Sequence, residues 1–328
     1  MLAYVVRRLL WAGLLVLVMT FVTYVIFFRI PADPARFLVR NQAPTEHQLE
    51  EARKRLGLDD PFLVQYGRFV WRLAHLDLGV SYQSFGGRNP IPVTRLLVEA
   101  APVTASLIVG GAMLWLMLSI PLGTLSALRA GSAVDRGILL LVLIGISAHP
   151  VSIGLFLRQF LGYKWQLAPV NGYCPLLGSG DCAGPGPWLS HLILPWFTFA
   201  LLFTALYTRM VRNNVLFGLE ENWVRTARGK GATELRVIRS HVLRTSLLPV
   251  VTMLGMDIGV AFGGAIFVER VFGLPGLGSL ALTALSGNVG FDLPLIVGVV
   301  LCVTTAVIVF NLVVDLLAVV LDPRIGLT

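Results

Sequence analysis

The residues whose types most suggest a role form one compact, strongly basic segment between two apolar stretches, Arg209 to Thr245, here called the basic segment. It holds eight Lys and Arg residues against three acids, Glu220, Glu221 and Glu234. A simple connection between helices needs only a few residues, so a segment this long, with helical patterning broken at Gly229-Lys-Gly, is typical of a docking element. No run of aromatic residues accompanies the charges, which disfavours nucleic-acid binding. We expect a protein partner on this side of the chain.

The other ionisable residues form no catalytic or metal-binding pattern. Five histidines are scattered along the chain, without a His-Glu-x-x-His motif, a nucleophile elbow or a pair of carboxylates. The Gly229-Lys230 pair is followed by Gly231 where a phosphate-binding loop requires Ser or Thr. We therefore expect a chain that is not an enzyme, holds no metal or cofactor, and takes any ATP-derived energy from another subunit.

Asp257 is a carboxylate inside an apolar run, about 15 Å from its start at 1.5 Å per residue. A charge at that depth costs about 2.5 to 3.5 kcal/mol, so it has to face protein or water. A substrate pathway and a structural partner both remain open for it. Gly255, Gly259 and Gly263 in the same run form a small-xxx-small pattern that permits close helix packing. That packing is either internal or a dimer seam lining a pathway.

Two cysteines, Cys174 and Cys182, lie close together in a Gly- and Pro-rich loop. A disulfide between them would close a short loop and contribute about 2 to 3 kcal/mol in the chain-entropy estimate. We predict this disulfide on the oxidising side of a membrane, with free thiols as the alternative. Cys302 lies within an apolar run and is interpreted as a small buried residue.

The elements that position these residues are membrane helices. The chain of 328 residues is 56% hydrophobic and 13% charged, whereas soluble domains are about a quarter charged. Runs long enough to cross a bilayer, about 20 residues, predict an all-α membrane protein with six spans. These runs are 9–28, 100–128, 137–157, 189–208, 246–268 and 293–321.

The positions of Lys and Arg in short loops predict the orientation of the chain. Arg7 and Arg8, the loop 129–136, the basic segment and Arg324 fall on one side, which the positive-inside rule identifies as the cytoplasm. Both termini are therefore predicted to be cytoplasmic, in the inner cell membrane. The predicted divisions are an N-terminal helix 1–28, an extracytoplasmic helical insertion 29–101, a core of five spans 102–321 containing the loop 209–245, and a tail 322–328.

Two short helices are predicted in the insertion. Thr45 and Gln48 form a capping box for a helix that Gly57 ends, and a second helix runs over 61–71. The insertion is either a lid over the outer ends of the spans or a contact surface for an extracytoplasmic partner.

The basic segment is predicted to contain two helices at an angle. Asn222 caps the first, the Gly229 to Gly231 break stops it, and Thr233 opens the second. The second helix places Leu235, Ile238 and Val242 on one stripe, as an amphipathic helix does. The alternative is a hairpin lying on anionic lipid.

Glu221-Asn-Trp-Val-Arg-Thr-Ala-Arg-Gly-Lys-Gly-Ala, followed by His241-Val-Leu-Arg-Thr-Ser-Leu-Leu-Pro-Val, resembles the EAA loop of binding-protein-dependent ABC importer permeases. The matching positions are Arg225, Thr226, Ala227 and Gly231. Arg225 replaces the general Glu, and Arg244 stands where many relatives have Pro; both departures are usual in the peptide and nickel subfamily. Further stretches similar to that subfamily, in order, are Tyr4-Val-Val-Arg-Arg, Leu56-Gly-Leu-Asp-Asp-Pro, Leu76-Asp-Leu-Gly-Val-Ser, Pro102-Val-Thr-Ala-Ser-Leu, Val268-Glu-Arg-Val-Phe-Gly-Leu-Pro-Gly, Asn311-Leu-Val-Val-Asp and Asp322-Pro-Arg.

This resemblance implies a type I ABC importer permease fold and transport of dipeptides or oligopeptides. It implies a homologous second permease, two ATPase subunits or domains that bind ATP and Mg, and an extracytoplasmic substrate-binding protein. A nickel or glutathione importer is the alternative within the family, and an ion-coupled carrier or channel is the alternative outside it. The resemblance assigns ATPase coupling to Glu221, Arg225, Thr226, Ala227, Arg228, Lys230, Gly231 and Ala232.

Overall fold

A computed structural model describes residues 2–26, 45–56, 59–81, 91–177, 182–286 and 292–321. The regular structure in these ranges is helical, with one isolated antiparallel bridge between Val80 and Pro92. The helices are α1 Leu2–Tyr24, α2 Glu46–Leu56, α3 Phe62–Ala74, α4 Val93–Leu128, α5 Ala133–Ser147, α6 Pro150–Leu157, α7 Pro185–Glu220, α8 Asn222–Gly229, α9 Glu234–Arg236, α10 Leu243–Ser246, α11 Leu248–Phe272, α12 Leu277–Ser286 and α13 Leu293–Leu321. Two π-helical turns, Arg158–Lys164 and Val237–Val242, continue α6 and α9.

Five of the described helices are long and apolar enough to cross a membrane, namely α1, α4, α7, α11 and α13. A sixth span is formed if α5 and α6 are counted together with the π-helical turn after α6, although this pair is bent by 102°. The bend falls at Pro150, which lacks the N–H that a continuous helix would need. His149 restarts the helix because its Nδ1 atom accepts a hydrogen bond from the Val151 N–H (3.3 Å). The predicted all-α membrane fold is confirmed, with its third span broken at the proline.

The chain divides into two compact units. One contains residues 1–103 and 275–308, and the other contains residues 104–274 and 309–328. The first unit has a core of aliphatic side chains from α4, α12 and α13, including Val93, Leu277 and Leu295. Gly298 allows α13 to approach α4, since a Cβ atom there would lie 2.7 Å from Val93 Cγ1.

In the first unit, α3 packs on α1 through aromatic rings. Phe21 contacts Phe62 and Tyr66 edge to face, with ring centroids 6.0 and 5.3 Å apart. Tyr24 contacts Phe69 at 5.2 Å. This helix continues to Ala74, three residues beyond the end that the sequence predicts.

The N-terminus of α2 has part of the predicted capping box. The Thr45 N–H donates to Oε1 of Gln48 (3.2 Å), which satisfies one of the donors that a helix start leaves open. The predicted stop at Gly57 lies outside the described residues, as do the stretch 27–44 and the tail 322–328.

The second unit is built around α7, the helix that leads into the basic segment. Trp115 of α4 is fully buried and stacks on Phe203 of α7 with ring centroids 4.4 Å apart. Gly123 brings the same two helices together, because a Cβ atom there would lie 2.7 Å from the Thr208 carbonyl oxygen. These contacts hold the entry to the basic segment in a rigid bundle.

Candidate functional site

The basic segment contains the short helices α8 and α9 and the π-helical turn Val237–Val242, which together are called the helical corner. Helix α7 ends at Glu220, Glu221 is extended (φ −68°, ψ 145°), and α8 begins at Asn222. Glu221 therefore occupies the cap position of α8, and its side chain makes no capping hydrogen bond. The predicted Asn222 cap is wrong, because Asn222 has already entered the helix.

The turn after α8 is closed by backbone hydrogen bonds. The Gly231 N–H donates to the Arg228 carbonyl (2.9 Å), and the Ala232 N–H donates to the Ala227 carbonyl (3.2 Å). Gly231 has φ +81°, a left-handed conformation that glycine adopts without the penalty of a Cβ atom. The chain reverses direction here and Thr233 leads it into α9.

An ion pair joins the two sides of this turn. Arg228 donates from Nε to Glu234 Oε1 (2.7 Å) and from Nη2 to Oε2 (3.1 Å). Both side chains are exposed, 41% for Arg228 and 62% for Glu234. An exposed pair contributes about 0 to 1 kcal/mol, so this contact links α8 to α9 at the surface without adding much stability.

The inner face of the corner is apolar and tightly packed. Val224, Val237 and Val242 are fully buried, and Gly218 of α7 leaves room for Val242, whose Cγ1 would lie 3.2 Å from an added Cβ atom. The predicted stripe is wrong at Leu235, which is 74% exposed. The π-helical turn Val237–Val242 explains this difference, because residues five apart share a face where the turn is widened.

The outer face carries most of the residues assigned to coupling. Ala227 and Ala232 are half-buried in the turn. The others are exposed, namely Glu221, Arg225, Thr226, Arg228, Lys230 and Gly231. The corner therefore presents a cationic surface to its surroundings.

A recess of about 230 Å³ opens beside α8. Glu221 and Trp223 line it together with Asn214 and Ser246. Asn214 and Ser246 tie α7 to α10, since the Ser246 Oγ donates to the Asn214 carbonyl (3.0 Å) and the Asn214 Nδ2 donates to the Ser246 carbonyl (3.2 Å). The helix entering the corner is thus bound to the helix leaving it.

A largely buried ion pair, which the sequence did not predict, joins α5 to α7, the helix that leads into the helical corner. Arg212 of α7 donates from Nε to Asp135 Oδ1 (2.8 Å) and from Nη2 to Oδ2 (2.8 Å). Asp135 also accepts from the Ser126 Oγ (2.5 Å) and from the Gly131 N–H (2.9 Å). We call this arrangement the Asp135 clamp. It joins the end of α4, the start of α5 and α7 at one carboxylate.

The sequence contained little to indicate the clamp. Asp135 adjoins Arg136 in a loop between spans, where charges are usually solvated, and Arg212 counted as one more positive charge of the basic segment. The detectable signal was local: Ser132 three residues before Asp135 is a helix N-cap pattern. In the structure the Asp135 N–H donates to the Ser132 Oγ (3.3 Å).

Asp257 lies in α11 and has a partner in the same unit. The Tyr207 hydroxyl of α7 donates to Asp257 Oδ2 (2.7 Å). Tyr207 is 1% exposed, whereas Asp257 is half-buried. This contact satisfies one oxygen of a carboxylate that is expensive to place in a membrane.

The three glycines of α11 have different surroundings. A Cβ atom at Gly255 would lie 2.8 Å from Asn311 Oδ1, so this glycine brings α11 against α13 within the second unit. Gly259 is half-buried. Gly263 is exposed, and a Cβ atom added there would meet no atom of the described residues within 4 Å. The small-residue pattern therefore packs internally at one end and is open at the other.

The loop between the third and fourth spans is tied down at several points. Cys174 and Cys182 form a disulfide, with Cα atoms 5.5 Å apart. The Arg158 Nη1 donates to the Val271 carbonyl (2.6 Å) and the Gly172 N–H donates to the Phe272 carbonyl (3.2 Å). The loop is thereby attached to the C-terminal end of α11.

The part of the chain that the structure describes brings no three His, Cys, Asp or Glu side chains together as a metal site. The polar groups described above pair internally, as in the Asp135 clamp, or face outward on the helical corner.

Comparison with known proteins identifies the family. The family model described as "Binding-protein-dependent transport system inner membrane component" matches residues 119–327, and its N-terminal companion matches residues 1–108. The dipeptide transport system permease protein DppB of Escherichia coli (strain K12) is 34% identical over 99% of both chains. A Brucella abortus (strain 2308) protein, provisionally named a peptide transport system permease, is 31% identical over 99% of both chains.

A solved structure supports the fold. The MetNI methionine ABC transporter in an inward-facing conformation contains a chain that matches with a TM-score of 0.54 at 17% identity, covering 69% of this chain and 96% of that one. At this identity the likeness concerns the fold alone. The family inferred from the sequence motifs is confirmed: the chain belongs to the binding-protein-dependent transport system inner membrane components, the permeases of ABC importers.

Proposed function

We propose that this chain is one of two permease subunits of an ATP-driven importer of peptides. The observation that carries the proposal is the full-length similarity to a dipeptide permease, 34% over 99% of both chains. Dipeptides or oligopeptides would cross the membrane along a path shared with the second permease. A substrate-binding protein would deliver them from outside.

The helical corner is the proposed docking site for a partner ATPase. Its exposed cations, Arg225, Arg228 and Lys230, suit a groove with acidic side chains, and Glu221 and Trp223 line a recess that can receive a projecting residue. A docking element has to be stiff to pass on motion. The closed turn at Gly231 and the buried Val224 supply that stiffness.

Movement of the corner would reach the transport path through α7 and α11, the helices on either side of it. ATP and Mg bound by the ATPases would supply the energy, and closure of the ATPases would rock the attached helices as rigid bodies. The Asp135 clamp would carry the same motion into α4 and α5, because the Asp135 carboxylate belongs to α5 and bonds to Ser126 of α4 and Arg212 of α7.

The proposed topology places both termini and the basic segment in the cytoplasm, following the distribution of Lys and Arg. We keep the divisions 1–28, 29–101, 102–321 and 322–328 as the proposed functional parts. The open end of the α11 glycine pattern, at Gly263, is the proposed seam with the second permease.

A docking substitution tests the coupling role. Ala227→Glu places a bulky negative charge at a half-buried position beside the cationic face, and we expect peptide uptake and transport-linked ATP hydrolysis to be lost while the permeases still assemble. Ala227→Ser is the matched control and should retain uptake. The test uses the complete transporter in proteoliposomes with labelled di- and tetrapeptides. Full uptake by Ala227→Glu, or uptake by this chain without ATPases, would overturn the proposal.

Asp257 is the proposed anchor for a peptide amino terminus. Asp257→Asn keeps an acceptor for the Tyr207 hydroxyl but removes the charge, so the apparent KM for peptides with a free amino terminus should rise. Peptides with a blocked amino terminus provide the comparison. Equal KM changes for both peptide types would show that Asp257 has a structural role only.

A further inference from the structure

Helix α3 has an apolar face that other described elements leave mostly uncovered. Its α1-facing side holds Phe62, Tyr66 and Phe69, which contact the aromatic rings of α1. A second apolar sector lies beside it and spans about 120° of the helix at 100° per residue. This sector contains Leu63, Val64, Gly67, Val70, Trp71 and Ala74.

The uncovered sector is large and strongly exposed. Leu63 is 75% exposed, Trp71 is 68% exposed and Val64 is 49% exposed. Large apolar side chains clustered on one face usually mark a binding surface or a membrane contact. We therefore expect a partner or the lipid bilayer to cover this sector.

The rest of the helix is a narrow polar arc. It contains Gln65, Arg68, Arg72 and His75, which together cover about 80° of the circumference. Arg68 pairs with Asp60 (2.5 Å) at the exposed edge of the helix. A helix with a wide apolar face and a cationic polar face is the pattern of a helix that lies in a membrane interface.

The depth of α3 along α1 decides which occupant is available. The Tyr66 hydroxyl lies 3.1 Å from the Thr20 Oγ1 and donates to the Leu17 carbonyl (3.3 Å). Leu17 is about 10 Å from the end of the span at Tyr24, at 1.5 Å per residue. The rings of α3 pack on Phe21 and Tyr24 at the end of the span, and the Tyr66 side chain reaches deeper. This level is that of the membrane interface, where lipid is the neighbour of an apolar face.

The surface of α1 continues the same apolar character. Leu10, Trp11 and Leu17 are 70%, 58% and 53% exposed along its length, as side chains that face acyl chains are. Trp71 suits the boundary, since Trp is enriched where the hydrocarbon meets the headgroups. Arg68 and Arg72 complement the charge of lipid phosphates, and their stems can lie along the apolar layer.

We propose that α3 is an in-plane membrane helix whose uncovered sector inserts among the lipid acyl chains and whose arginines lie at the phosphate level. The proposed topology places α3 in the outer leaflet, and the inference rests on the proposed function in that respect alone. It does not depend on which substrate is transported. The lipid contact anchors the insertion beside the first span. Part of the insertion is thus a membrane-binding element.

Site-directed spin labelling tests the occupant. Cys302→Ser gives a background in which Cys174 and Cys182 are bonded to each other, and labels are attached at Leu63→Cys and Trp71→Cys. Arg68→Cys, on the polar arc of the same helix, is the matched control. Each label is exposed to oxygen, which concentrates in acyl chains, and to a water-soluble nickel chelate, with the purified transporter in phosphatidylcholine nanodiscs.

We expect oxygen to relax the labels at positions 63 and 71 more strongly than the nickel chelate does, with the order reversed at position 68. Equal nickel access at all three positions would place the face in water and overturn the proposal. Exclusion of both reagents at positions 63 and 71 would mean that protein covers the face, and would overturn it as well. Val64→Cys replaces Trp71→Cys if the latter does not assemble. Failure of the transport proposal would appear separately, as absent peptide uptake by the unlabelled transporter.

Discussion

Two Arg–carboxylate pairs in the second unit have nearly the same geometry and opposite surroundings. Arg212 donates two hydrogen bonds of 2.8 Å to Asp135, and Arg228 donates two hydrogen bonds of 2.7 and 3.1 Å to Glu234. The exposed fractions of the side chains are 19% and 3% in the first pair, and 41% and 62% in the second. Burial, rather than bonding geometry, separates their roles.

The more buried pair is costly to open, because each charge would then stay largely shielded from water without its counter-charge. Ser126 and Gly131 also donate hydrogen bonds to Asp135. These bonds replace the water that the carboxylate loses on folding. The exposed pair can exchange its partners for water or for a docking protein at little cost. The helix α7 is therefore held to α5, while the exposed side chains of the helical corner stay free to exchange partners.

The largest expected effect comes from breaking the buried pair. Asp135→Asn leaves the Arg212 guanidinium, which is 19% exposed, without its counter-charge, which should lower the free energy of unfolding by about 3 kcal/mol, the lower end for buried pairs. Denaturant unfolding in detergent micelles measures this. Glu99→Gln is the control, since Glu99 pairs with Arg95 at an exposed site. A loss below about 1 kcal/mol, the range of exposed pairs, would contradict the distinction drawn between the two pairs.

An intermediate effect is expected at the turn that the exposed pair spans. Gly231→Val forces a β-branched residue into φ +81°, at a strain of about 1 to 2 kcal/mol, and should impair uptake more than stability. Gly229→Ala is the matched control, because Gly229 is helical and an added Cβ atom would meet no described atom within 4 Å. Thermal unfolding and peptide uptake are measured on both variants. Equal uptake by the two would show that the turn geometry is not needed.

The smallest effect belongs to the exposed pair itself. A double-mutant cycle of Arg228→Gln and Glu234→Gln should give a coupling energy of about 0 to 1 kcal/mol. Raising the salt concentration should reduce that coupling, because exposed charges are screened. A salt-independent coupling of several kcal/mol would place this pair in the same class as Asp135 and Arg212.

Much of the fold could be predicted because its signals are local. Apolar runs predicted six spans, and the described residues contain five, or six if the two helices bent by 102° at Pro150 form one span. The break at Gly231 was predictable since a turn of this kind selects glycine. The ordered motifs identified the family, which the full-length relatives confirm.

Other features depended on packing that a sequence pattern does not encode. The stripe predicted from a period of 3.6 chose Leu235, while the widened turn buries Val237 and Val242 together. The cap predicted at Asn222 failed because α7 runs on to Glu220 and leaves a single extended residue before α8. A widened turn set the register in the first case, and the preceding helix set it in the second.

The sequence by itself determined the class of molecule, its helical spans and its family, because hydrophobicity, glycine and short motifs act over a few residues. The tertiary structure alone decided that Arg212 and Asp135 form a buried joint across 77 positions of sequence. It also decided which valines fill the inner face of the corner and which face of α3 packs on α1. These outcomes depend on which distant elements pack together. The burial of each contact then sets how much it contributes to the free energy of unfolding.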